Sequence, residues 1–252
     1  MHNKDLPGNP ERRSFFRRSL PIIPVAAVAA AGGAATLVVS KDHLPAVPGK
    51  AVDTALARAK DYQPTFFSAD EYRFVQAATA RLIPKDDLGP GALEAGVAEF
   101  IDRQMNTPYA TGSNWYMQGP FDPGAIKEMG YQLKLSPQQL YRAGIAAANQ
   151  WCQKNLGKPL ADLMAEEQDK ALTAMEHGIQ DFNDGLPSAT FFAMLWGNTK
   201  EGFFSDPIHG GNKDMVGWKL INFPGARADF MDWIERDEKY PLPPVSIQGL
   251  RG

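Results

Sequence analysis

Cysteine is almost absent from this chain: Cys152 stands alone among 252 residues. One thiol cannot supply an internal disulfide, a cysteine-rich zinc site, an iron–sulfur cluster held by this chain alone, or the two-cysteine attachment of a c-type haem. Histidine is scarce too. His2 and His43 lie near the N-terminus, which leaves His177 and His209 in the body. A broad positive field is also missing. Residues 1–40 carry Lys4, Arg12, Arg13, Arg17 and Arg18 against Asp5 and Glu11, and the rest holds 21 basic and 27 acidic side chains, a net of −6. Nucleic-acid binding draws on clustered positive charge, so a nucleic-acid partner is set aside.

The usual cofactor and nucleophile motifs are missing as well. Gly89-Pro90-Gly91 has Glu94 where a dinucleotide loop needs its third glycine, and no apolar strand precedes it, so it reads as a turn that launches a helix. No phosphate-cradling Gly-Lys-Ser/Thr loop and no Gly-x-Ser-x-Gly elbow occurs. Cys152 follows Trp151 on the apolar side of a helical pattern, where cysteine behaves as a small buried hydrophobe. His209 lies near Asp206 and Asp214, a mixed set that could be drawn as a metal site, although isolated histidines are more often plain surface or core residues. Catalytic, cofactor-binding and metal-ligating residues are therefore assigned to none.

What is present begins at the N-terminus. Glu11-Arg12-Arg13-Ser14-Phe15-Phe16-Arg17-Arg18 precedes an Ala/Gly-rich apolar stretch from Leu20 to Val39. Paired arginines, a polar residue, two apolar residues and a modest hydrophobic region form a twin-arginine export signal, with Arg12 and Arg13 as its key pair. The alternative is a membrane anchor of about 20 residues. Pro21, Pro24, Gly32 and Gly33 make a poor span, while Ala29-Ala30-Ala31 is a possible cleavage site. The expected location is the periplasm, associated with the cytoplasmic membrane.

The remaining chain is expected to be mainly α: a linker over 41–64 with a short helix at 52–60, a multi-helix domain over 65–240 with long aromatic-rich loops, and an extended tail over 241–252. Ser68 with Glu71 forms a capping box, followed by Phe74, Val75, Ala78 and Leu82 at helical spacing, until Pro84. Further helices are expected over 92–105, from Ser136-Pro137 to Gly157, over 160–176, from Pro187, and over 226–236. Residues 107–135 and 202–225 read as long irregular stretches rich in aromatics. Such loops are commonly functional, and the competing reading is that they cover the domain's own core.

The segment Gly-Phe-Phe-Ser-Asp-Pro-Ile-His-Gly-Gly-Asn-Lys-Asp-Met-Val-Gly-Trp-Lys (202–219), with Phe223-Pro224-Gly225, resembles the gluconate 2-dehydrogenase subunit 3 family. So do Tyr62-Gln63-Pro64-Thr65-Phe66-Phe67, Arg81-Leu82-Ile83-Pro84, Gly89-Pro90-Gly91-Ala92 and Gly130-Tyr131-Gln132. The resemblance implies a three-part assembly: an FAD-containing large subunit that oxidises a sugar or sugar acid, a multihaem cytochrome c subunit, and a small subunit without catalytic residues. That small subunit would bind the flavoprotein, help it mature, and carry it through the twin-arginine machinery. FAD and haem c would then reside in partners and not in this chain. Phe203, Phe204, Trp218 and Phe223 are expected as aromatic anchors for the large subunit. A stand-alone periplasmic enzyme centred on His209 and a sugar-binding protein with an aromatic pocket remain the competing readings.

Overall fold

The computed structural model describes residues 62–252 apart from 123, 180, 181, 183 and 184. The export signal with Arg12 and Arg13, the helix expected at 52–60 and most of the linker lie outside the described residues. The body is mainly helical, and among the described residues only isolated bridges occur in place of strands. Helix α1 (Ala69–Leu82) starts at the expected capping box. Ser68 Oγ accepts from the Glu71 amide, and the Glu71 carboxylate accepts from the Ser68 amide at 2.8 Å. Phe74, Val75, Ala78 and Leu82 are buried along its inner stripe.

Helix α2 spans Val97–Gln104 and starts later than the 92–105 pattern implied. Gly96 sits at its N-cap in the left-handed region (φ 73°), and the Ala92 amide donates instead to the Ile83 carbonyl, folding residues 92–95 into a turn against the end of α1. A short helix α3 (Pro108–Thr111) opens the aromatic stretch. Helix α4 (Pro137–Leu156) keeps its expected bounds. Ser136 and Gln139 cap it reciprocally, Pro137 occupies the first turn, and Gly157 closes it in the left-handed region. The run expected over 160–176 is broken. A 3-10 turn (Leu160–Asp162) gives way to extended backbone at Leu163 and Met164 before helix α5 (Ala165–His177) begins.

Helix α6 (Ser188–Phe204) is the centre of the body and packs against α1, α2, α4 and α5. Phe191, Phe192, Leu195, Trp196 and Phe203 are all buried on it. Its outward stripe, with Ala193 and Glu201 exposed, is narrow, and burial by several neighbours accounts for the apolar residues on its other sides. Two small residues let the aromatics seat. A Cβ on Gly144 of α4 would stand 2.3 Å from the Phe191 ring, and one on Gly202 would stand 2.8 Å from Phe100. Arg81 of α1 forks onto Asp169 of α5 at 2.7 and 2.9 Å.

Residues 202–225 are not a loop. α6 runs on to Phe204, then come 3-10 turns at Pro207–His209 and Lys213–Met215 and helix α7 (Val216–Ile221). The helix expected over 226–236 is a 3-10 helix, Ala228–Trp233. The C-terminal tail is not simply extended. Val245 bridges to Gly225 and to Arg251, with a turn over 246–250 between them.

Candidate partner-binding surface

The 202–225 segment is held together by its own unusual residues. Asp206 Oδ1 accepts from the Ile208 amide at 3.1 Å, capping the 3-10 turn that Pro207 begins. Its other oxygen accepts from the Ile247 amide at 2.7 Å and so ties in the tail. Gly210 takes φ 94°, and a Cβ on Gly211 would lie 2.2 Å from the Gly202 carbonyl oxygen, so only glycine fits that approach. Asn212 is buried in the left-handed region. It donates to the Ser205 carbonyl and accepts from the Gly217 amide, both at 2.8 Å. Lys213 reaches back to the buried Glu99 at 2.5 Å, which Arg103 also binds.

The four aromatics expected as anchors differ in burial. Phe203 is 1% exposed and Trp218 5% exposed, so both rings fill the chain's own core. The Trp218 indole N–H donates to the Phe204 carbonyl at 2.7 Å, and its ring meets Phe223 edge-on at 5.2 Å. Phe204 is half-buried against Phe203. Only Phe223, at 45% exposure, offers a substantial face outwards. Aromatic density marked a site of burial, and the burying surface is α6 itself. The Gly-Gly-Asn turn packs on this chain's own α6 end, through Gly211 against Gly202 and Asn212 onto Ser205.

Exposed apolar side chains nevertheless recur along this part of the chain. Leu220, Ile221, Phe223, Met231, Ile234 and Leu242 are all exposed, as are Ile208 in the 3-10 turn after α6 and Ile247 and Leu250 in the tail. The pairing of residue 245 with 225 and of 247 with 206 fixes the tail between these segments. Large apolar groups collected at a surface mark a contact site more often than scattered ones do.

The second aromatic stretch forms a groove of about 420 Å³ lined by Trp115, Tyr116, Pro120, Phe121, Met129 and Tyr131. Trp115 is wedged edge-on against Tyr109 and Tyr131. Its polar wall groups bond to the loop's own backbone: Tyr131 donates to the Leu135 carbonyl, Tyr116 to that of Gly119, and Gln132 to that of Met129. A sugar pocket needs polar groups converging on the ligand, and these three serve the loop instead.

The residues proposed for chemistry stay apart. Among the described residues no three His, Cys, Asp or Glu side chains gather as a metal-binding group, and both Asp206 oxygens are taken by backbone amides. His209 and His177 are exposed. Burial pushes the Cys152 thiol up to about 11, which keeps it protonated.

Sequence reasoning missed Asp102. This fully buried carboxylate accepts from the Tyr62 hydroxyl at 2.8 Å, from Thr65 N and Oγ1 at 2.7 and 2.9 Å, and from the amides of Phe66 and Phe67 at 3.1 and 2.8 Å. Arg142 adds a hydrogen bond to the Phe66 carbonyl and lies over the Phe66 ring at 4.3 Å. The Tyr62–Phe67 segment is thus a strap locked onto α2 and α4. Burial and the bond to Asp102 push the Tyr62 phenol up to about 12. An aspartate between Ile101 and Met105, on the apolar stripe of a helix, was the available signal.

The fold and this surface define a helical protein that presents an apolar face next to a rigid, internally hydrogen-bonded platform. Residues 69–225, more than half of the chain, match the family model of gluconate 2-dehydrogenase subunit 3, and the chain belongs to that family. No curated protein and no solved structure matches it. The matched span ends at Gly225, where the platform meets the tail: a Cβ there would lie 2.2 Å from the Val245 carbonyl oxygen.

Proposed function

We propose that this chain is the non-catalytic small subunit of a membrane-associated periplasmic dehydrogenase complex of the gluconate 2-dehydrogenase type. It binds the FAD-containing large subunit, supports its maturation, and carries it through the twin-arginine machinery by way of Arg12 and Arg13. FAD and haem c belong to the large subunit and the cytochrome c subunit. The observation that carries the reading is the match to a subunit family, in a chain that leaves a series of large apolar side chains exposed over 208–250. Exposed apolar side chains of this kind are what a partner subunit would bury.

Co-expression with the FAD-containing large subunit tests this. The wild-type chain should co-purify with a flavin-bearing partner, and Phe223→Glu should reduce the yield of complex while leaving the isolated chain folded. An unchanged yield would remove Phe223 from the interface. With Arg12 and Arg13 both changed to Lys, both proteins should stay in the cytoplasm, and export of the large subunit regardless would remove the escort role.

A further inference from the structure

The 3-10 helix Ala228–Trp233 sorts its side chains into three rows, because such a helix turns once in about three residues. The Arg236 amide donates to the Trp233 carbonyl at 3.0 Å, so the same i→i+3 geometry recurs at residue 236. Phe230 and Trp233 form the inner row, both edge-on to the buried Tyr240 ring at 5.4 and 5.7 Å. Met231 and Ile234 form the second row and point to solvent, at 74% and 65% exposure. Asp232 and Glu235 form the third, exposed, and Asp237 and Glu238 follow in the exposed bend after it; none of these four has an ion-pair partner among the described residues. Asp229, by contrast, is engaged by Arg227 and by the Tyr240 hydroxyl.

We propose that residues 228–238 form the docking ridge for the large subunit, and that the matching surface of that subunit is an apolar recess bordered by Lys and Arg. This rests on the partner-binding reading above and specifies its chemistry. The argument is charge complementarity. Two apolar side chains stand beside four exposed carboxylates, Asp232, Glu235, Asp237 and Glu238, against the single cation of this span, Arg236, which lies over the Trp233 ring, so a covering surface gains most when its own border is positive. A second copy of this chain related by a two-fold axis would set the same acidic row against itself. An anionic membrane surface would repel the row while it accepted Met231 and Ile234. The inner aromatic row fixes the ridge before contact, which lowers the ordering cost of association.

The test is a binding-kinetics measurement with full-length chain and the purified FAD-containing large subunit at several salt concentrations. Asp232→Lys with Glu235→Lys should lower the association rate about tenfold or more at low salt and flatten its salt dependence. Met231→Glu with Ile234→Glu should instead raise the dissociation rate at least about tenfold. Unchanged circular dichroism of both variants separates these effects from misfolding. A wild-type complex whose rates neither pair alters overturns the ridge while leaving the partner-binding reading in place. Wild-type binding to phosphatidylglycerol vesicles, or self-association, that Met231→Glu abolishes also overturns it. Failure of the wild-type chain to bind the large subunit at all overturns the partner-binding reading itself.

Discussion

Asp102 is the residue on which the start of the described body depends. Five donors converge on its two oxygens, so Asp102→Asn, which turns one acceptor into a donor facing amides, leaves buried groups unpaired. It should cost about 2–3 kcal/mol in urea unfolding and raise amide exchange at Thr65–Phe67. Trp218→Ala should cost about 3–5 kcal/mol, because the ring is core, whereas Phe223→Ala should cost clearly less; equal losses would contradict the burial difference. Cys152 should resist alkylation in the native protein at neutral pH and react promptly once the chain is unfolded, since burial raises its thiol to about 11. From sequence alone, Cys152 was legible as a buried hydrophobe because its neighbours set a helical stripe. The aromatic anchors were not, because aromatic content marks burial without naming the surface that does the burying.

At the scale of elements, helix starts were the most legible feature. Ser68 and Ser136 carry local capping chemistry that needs no tertiary contact, and Ser→Ala at either should cost about 1 kcal/mol by thermal unfolding. Helix starts that depend on distant contacts were not legible. α2 starts late because the 92–95 turn leans on the Ile83 carbonyl. The α1 cap also sets a pH dependence. Burial pulls the Glu71 carboxyl up, but Arg142 and the Ser68 amide together outweigh it and hold it below its ordinary value. A carboxyl depressed in the folded state contributes stability above its unfolded pKa and loses it as pH falls through the folded value. The stability gap between wild type and Glu71→Gln should therefore persist at neutral pH and close on acidification below the ordinary carboxylate range.

For the whole molecule, the family segment is an internal brace. Asp206, Gly211, Asn212, Gly217 and Gly225 each make a contact within the chain, and together they bind α6, α7 and the tail into one platform. The mainly α class and the family could be read from sequence, since helical spacing and the 202–225 pattern are both local in the chain. The outward face was not, because exposure depends on how segments distant in sequence fold over one another. Among the described residues no helix is long and apolar enough to cross a membrane. The most direct measurement purifies the full-length chain alone and with the FAD-containing large subunit, then assays flavin absorbance, metal content and dehydrogenase turnover. The account predicts that flavin and turnover appear only with the large subunit, in an equimolar complex. A tightly held prosthetic group or turnover in the isolated chain would contradict it.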